Sequence, residues 1–355
     1  MPRKFLICAS ADSQLKYGDA IAQAFAERGW QRFYAIDRTQ KHVGPRQLTE
    51  LGIDGPVRLI DPLTALDAGF FDGFDAIYVQ SVGSALHRFF DAFAQRIAQL
   101  APARRPILIT GYVGLVIEKH LEGLLWRQGA DLIAVNTTVD QQIFNRYAAQ
   151  FGLNPDQLIR TGFPYARRIE RRAGGGRGRT VLFAAQPTVP MRLEQRVHVI
   201  QALADYALRH PLDRVLIKPR ALPGEHQFHV EKHHYAELLR SHLGSAGPGN
   251  LDVVYASLGR LLPETDLLAT VSSTAAIEAL AADIPTLIVA DFGISETLGN
   301  HVFAGSGLIG PLRDLEDAFE RVPEPAWLEA NGFAAEDRID NLVAAVDQRL
   351  AAQAA

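Results

Sequence analysis

Short apolar runs alternate with longer amphipathic stretches along most of the chain. Residues 4–10 (KFLICAS) form a nearly continuous apolar run, the pattern of a strand buried on both faces. Residues 14–28 then place Leu15, Ile21, Ala22 and Phe25 at helical spacing, and Gly29 stops the helix. Further strands are expected at 32–37, 57–60, 75–81, 106–110 and 132–136, with helices over 86–100 and 139–150. The second half repeats the style. Strands are expected at 180–185, 214–219, 251–256, 266–272 and 285–291. Helices are expected over 191–210, 235–243 and 274–282, with an amphipathic C-terminal helix over 336–354. Strands alternating with helices imply parallel sheets covered on both faces.

Residues 162–179 break the rhythm. They hold Pro164 and the glycines Gly174, Gly175, Gly176 and Gly178, without apolar period, and read as a linker. The expected fold class is therefore α/β: two Rossmann-like domains facing each other across a cleft. The expected bounds are 1–165 for the first domain, 166–179 for the linker and 180–334 for the second domain. A C-terminal helix at 335–355 follows, its packing back on the first domain left open. Open α/β sheets bind ligands beyond the C-terminal ends of their strands, so the residues just after each strand are the ones to search.

Composition narrows the function classes. The 355 residues are 48% hydrophobic and 21% charged, with a formal net charge of −4. There is no long block of one sign, which argues against a nucleic-acid partner. Cys8 is the single cysteine, so a disulfide framework or a cysteine zinc site within the chain is excluded. No stretch approaches the roughly 18 apolar residues of a membrane span. The expected location is the cytoplasm. Peripheral contact with the inner face of the membrane is left open by Arg167, Arg168, Arg171, Arg172, Arg177 and Arg179.

The most informative local pattern is a strand running into Ser272, Ser273 and Thr274 and then directly into a helix. Hydroxyl side chains and free N–H groups there suit a phosphate. Glu278 lies one turn on, placed to reach a ribose diol. Lys218 and Arg220 follow another strand and would neutralise phosphate charge. His229 is a further phosphate or sugar candidate. A metal site among the neighbouring histidines lacks a standard ligand spacing, so no metal is expected. Asn300 and His301, in a glycine-rich loop, are candidate donors to sugar hydroxyls. In the first half, Asp12 after the first strand is the leading candidate for a general base, and Glu118 is the second.

The stretch from Ser272 to Pro285 resembles the nucleotide-binding helix of GT-B glycosyltransferases, in which the Glu of a Glu-Ala pair contacts the ribose; Glu278, Ala279 and Pro285 match that pattern. The double serine is also similar to the serine motif of bacterial capsule sialyltransferases and Kdo transferases, which use CMP-activated sugars. Where those enzymes carry a His-Pro motif, this chain has Lys218-Pro219-Arg220. The resemblance implies a GT-B enzyme that moves a sugar from a nucleotide-sugar donor, CMP-linked by preference, to a cell-surface glycan or glycoprotein acceptor. No metal or other cofactor is implied. A nucleotide-sugar epimerase of the same fold and a non-catalytic two-domain binding protein are the alternatives.

Overall fold

The computed structural model describes residues 1–40, 43–53, 55–116, 121–166, 178–225, 230–336 and 338–354. The chain divides into two compact units, Met1–Tyr165 with Glu329–Ala355, and Ala166–Leu328. Of the expected linker, residues 167–177 lie outside the described residues, and with them Arg167, Arg168, Arg171, Arg172 and Arg177.

Unit 1 is built on β1 (Lys4–Ala9), β2 (Gln31–Asp37), β3 (Val57–Ile60), β4 (Ala76–Gln80), β5 (Ile107–Gly111), β6 (Leu132–Val135) and β7 (Leu158–Arg160). These pair in parallel in the order β3-β2-β1-β4-β5-β6-β7. Helices α1 (Asp12–Ala26), α2 (Pro45–Glu50), α3 (Pro62–Asp67), α4 (Gly83–Ile97), α5 (Glu122–Leu125) and α6 (Thr138–Phe151) join them. The twofold periodicity of a strand divides β1 between two cores. Phe5, Ile7 and Ala9 pack with Leu15, Ile21 and Phe25 of α1. Leu6 and Cys8 pack on the other face with Phe89, Phe90 and Phe93 of α4 and Phe144 of α6. Both faces are covered, which is why these strands read as unbroken apolar runs.

Unit 2 repeats the plan with β8 (Thr180–Ala184), β9 (Arg214–Lys218), β10 (Leu251–Val253), β11 (Leu267–Thr270), β12 (Thr286–Val289) and β13 (Ile309–Gly310), in the order β10-β9-β8-β11-β12-β13. All of these pairs are parallel. Its helices are α7 (Leu193–Arg209), α8 (Tyr235–His242), α9 (Leu258–Leu261), α10 (Ala275–Ala281) and α11 (Pro325–Leu328). Val199, Ile200, Leu203 and Tyr206 of α7 pack on Val181 and Phe183 of β8. The chain then returns to unit 1 through α12 (Ile339–Ala354). Leu342, Val343 and Val346 of that helix join the core of Phe5 and Ile7.

The α/β class and the alternation of elements are as the sequence predicts. Two strands are additions. β7 has three residues and β13 has two, too few to show a period, and each closes one edge of its sheet. The strand expected at 251–256 ends at Val253. No helix among the described residues is long and apolar enough to cross a membrane.

Helix α1 comes close to the sheet at Gly18, in the middle of the helix. A Cβ there would lie 2.6 Å from both Ile7 Cγ2 and Tyr78 Cδ1. Gly18→Ala would raise helix propensity but overpack this contact. Overpacking dominates, and the substitution is expected to destabilise unit 1 by about 1–3 kcal/mol, read as a lower denaturant midpoint. An unchanged or raised midpoint would show that α1 can move away at no cost.

Candidate functional site

In both units the strand order reverses beside the first strand, between β1 and β4 and between β8 and β11. Such reversals open a crevice at the C-terminal edge of the sheet. In unit 2 the crevice is bridged by side chains. Gln186 follows β8 and Ser272 follows β11. The Ser272 N–H donates to Gln186 Oε1 at 3.0 Å, Gln186 Nε2 donates to Ser272 Oγ at 3.2 Å, and Ser272 Oγ donates to the Leu298 carbonyl at 2.5 Å. Gly299 sits at φ 73°, and a Cβ on it would lie 3.3 Å from Ser272 Oγ.

This corrects the expectation that all three hydroxyls face a phosphate. The Ser272 proton is directed inward, tying β8, β11 and the 298–299 turn together. Ser273 is partly committed as well: its N–H donates to Thr270 Oγ1 and its hydroxyl accepts from the Ala275 N–H, each at 3.2 Å. Thr274 is exposed and makes no side-chain cap bond to α10. Of the three it is the one that presents a hydroxyl outward. Glu278 is 8% exposed in the first turn of α10.

Lys218 ends β9 in register with Ala184, so its loop adjoins that of Gln186. Its Nζ donates to the Pro219 carbonyl at 3.2 Å, and the side chain is part-exposed, as is that of Arg220. Asn300 is a second correction. It is fully buried; its amide nitrogen donates to the Gly293 carbonyl at 2.9 Å and its oxygen accepts from the Ser295 N–H at 3.0 Å. It holds its own loop closed rather than offering donors to a sugar. His301 beside it is partly exposed, with Nδ1 buried and, among the described residues, without a hydrogen-bond partner. His229 and Glu118 lie outside the described residues.

Arg196 of α7 gave no signal in the sequence, yet it organises this edge. Only 1% exposed, it donates to the carbonyls of Gln186, Pro187, Pro190 and His233 and to Glu231 Oε1, the last at 2.5 Å. The loop after β8 and the segment entering α8 are thereby fixed together. His234 is structural too. Its Nδ1 accepts from the Ala236 N–H and its Nε2 donates to the Ala221 carbonyl.

In unit 1, Asp12 opens α1 at the C-terminal end of β1, part-exposed, behind Ala11 at the cap position. Gln14 Oε1 receives the Ser10 N–H and hydroxyl, holding the turn. Two pockets flank Gln80 at the end of β4. One, of about 260 Å³, includes Cys8, Asp37 and Ser81. Burial, with a smaller contribution from Asp37, pushes the Cys8 thiol up to about 12, away from the thiolate form. The other, of about 270 Å³, includes Tyr112, Trp126 and Arg127. None of these three residues stands in a motif that sequence reading would mark.

A family model described as "Putative glycosyltransferase (DUF6716)" matches residues 5–349. No curated protein sequence matches the chain. Among solved structures, it is similar to the UDP-GlcNAc 2-epimerase of Neisseria meningitidis bound to UDP-GlcNAc, at TM-score 0.62 and 11% identity, covering 98% of this chain and 100% of that one. It is similar to sucrose-phosphate synthase of Thermosynechococcus elongatus at TM-score 0.54 and 14% identity, covering 98% and 97%. It is also similar to MurG of Acinetobacter baumannii at TM-score 0.50 and 12% identity, covering 98% and 99%. At these identities the likenesses establish the two-domain α/β fold.

The Arg196–Glu231 pair is almost fully buried, at 1% and 4% side-chain exposure. Removing one partner strands the other's charge. Glu231→Leu is expected to cost about 3–5 kcal/mol, measured by chemical denaturation. A loss under about 1 kcal/mol, the range of exposed pairs, would mean the carbonyl ligands alone suffice for Arg196.

Proposed function

The chain belongs to the family described as "Putative glycosyltransferase (DUF6716)", and from that premise we propose that it transfers a sugar from a nucleotide-sugar donor held on unit 2 to a glycan acceptor held on unit 1. The observation that carries the donor side is the edge beyond β9 and β11. There the side chains of Lys218, Arg220 and Thr274 remain part-exposed or exposed while Gln186, Ser272 and Asn300 are committed to holding the loops. Two cations and a hydroxyl at a sheet's switch point suit a phosphate. Glu278 in the first turn of α10 is the candidate for the ribose, and His301 for the sugar.

On this reading the acceptor hydroxyl attacks the anomeric carbon, and the bond from that carbon to the donor phosphate breaks. Asp12 takes the hydroxyl proton, and the nucleotide leaves with the bonding electrons. Lys218 and Arg220 stabilise the charge that develops on the departing phosphate. They supply the positive charge that a metal ion would otherwise bring, so the transfer is metal-independent. The favoured donor is a CMP-linked acidic sugar, on the sequence resemblance of Ser272-Ser273 alone. The acceptor is a cell-surface glycan or glycoprotein. An epimerase would convert the nucleotide sugar alone, so acceptor-dependent release of nucleotide separates the two readings.

A thermal-shift series with CMP, UDP, GDP and TDP tests the donor side. One nucleotide should raise the melting temperature, because binding to the native state stabilises it by mass action. Arg220→Ala should remove that shift. If none of the four moves it, the transferase reading fails. Asp12→Asn should leave nucleotide binding intact and lower transfer by about 100-fold or more. Full turnover in that variant would eliminate Asp12 as the base. Transfer should also persist in excess EDTA.

A further inference from the structure

We infer that the pocket following β4 and β5 in unit 1 is a built site for a small sugar-like ligand carrying one anionic group, a carboxylate or a phosphate. The inference rests on the transferase reading only in calling that ligand the acceptor. The pocket measures about 270 Å³, just below the ~300–1,000 Å³ of drug-sized ligand sites, so it suits one small unit.

One of its polar groups is a buried hydroxyl without a hydrogen-bond partner among the described residues, and a second is a buried cation without an ion pair among them. Arg127 is 7% exposed. Its Nε donates to the Gly111 carbonyl at 3.1 Å and its Nη1 to the Gly123 carbonyl at 2.8 Å, and the guanidinium lies 4.0 Å from the centre of the Tyr112 ring. Among the described residues the guanidinium makes no ion pair, and it lies beside the Tyr112 hydroxyl, where it lowers the phenol. Asp140 of α6 also acts on Tyr112 through space, raising the phenol. Burying a guanidinium without a direct ion pair is unfavourable.

Tyr112 is 6% exposed, and among the described residues its hydroxyl has no hydrogen-bond acceptor. The charged group beside it is Arg127, which can only donate. Burial raises the phenol to about 12, partly offset by Arg127, so the proton stays on the oxygen at neutral pH. Two adjacent donors, one of them charged, complement the oxygens of an anion.

The site is also held in shape before any ligand arrives. Asn136, fully buried, donates to the carbonyls of Tyr112 at 2.8 Å and Gly114 at 2.7 Å, while its oxygen accepts from Tyr17 Oη at 2.7 Å. Gly83 opens α4 against the Trp126 indole, where a Cβ would fall 2.3 Å from the ring. The pocket therefore has a fixed polar end at Arg127 and Tyr112 and an apolar wall at Trp126.

The test is calorimetric titration of the full chain with glucuronate, glucose 6-phosphate and glucose as probes. At least one charged probe should bind ten-fold or more tighter than glucose. Tyr112→Phe keeps the ring packing and should weaken that probe by about ten-fold. Arg127→Lys, which keeps the charge but loses the fork, should abolish the preference over glucose. Preference for glucuronate assigns a carboxylate, and preference for glucose 6-phosphate assigns a phosphate. Neither charged probe outbinding glucose, or Tyr112→Phe binding them as wild type does, overturns the inference. Charged-probe binding in a chain that binds no nucleotide would keep this site and remove the transferase reading. Acceptor-dependent transfer without charged-probe preference would do the reverse.

Discussion

Arg196 commits each of its five N–H groups inside unit 2, to four carbonyls and one carboxylate. A parallel sheet leaves its loops at one edge, where backbone carbonyls have no ladder partner and still need donors. A guanidinium carries five donors in a fixed plane and accepts nothing, so one side chain can satisfy several carbonyls at once. Its burial would be prohibitive alone. Glu231 at 4% side-chain exposure supplies the opposite charge, and Tyr235 receives the face of the cation at 4.9 Å. The loop carrying Gln186 is therefore set by α7, and through Gln186 so is the position of Ser272.

Unit 1 buries a guanidinium at the equivalent edge with the opposite outcome. Arg127 also reaches backbone carbonyls and also lies on a tyrosine face. No carboxylate among the described residues closes the pair. The same residue type thus serves as a finished joint in one unit and an open one in the other. The difference is whether the protein itself provides the anion. That contrast, rather than pocket size, distinguishes the Arg127 pocket from its neighbour around Cys8, where Asp37 already accepts from the Thr39 N–H and hydroxyl.

The strands that hold the sheets were legible because full burial on both faces leaves an unbroken apolar signature, as in residues 4–10 and 180–185. β7 and β13 were not legible, because an edge strand of two or three residues needs only a partner and no pattern. The candidate site was legible as a region but less so by residue. The run Ser272, Ser273, Thr274 draws attention to the turn after β11. Which hydroxyl points outward depends on Gln186, 86 residues away in sequence. Asn300 looked like a ligand donor because a polar residue in a glycine-rich loop suggests exposure; its own loop folds over it. Arg196 was invisible for a related reason. An arginine on an amphipathic helix reads as a solvated face, and only the fold shows carbonyls converging on it.

The two units also bear on how many substrates the protein handles. An epimerase works on one nucleotide sugar and needs a single bound ligand with its acid and base. A transferase needs a second ligand, and its pocket must be ready when that ligand arrives. Unit 1 holds such a pocket independently of unit 2. Its walls are fixed by Asn136 and Gly83, and among the described residues its Tyr112 hydroxyl lacks an acceptor and its Arg127 lacks an ion pair. Keeping a buried cation and a buried hydroxyl unsatisfied costs stability in the empty protein. That cost is offset when an anion binds, which makes a distinct second substrate the economical explanation for the arrangement. The physical argument from unit 1 therefore favours the same choice between the two readings as the family does.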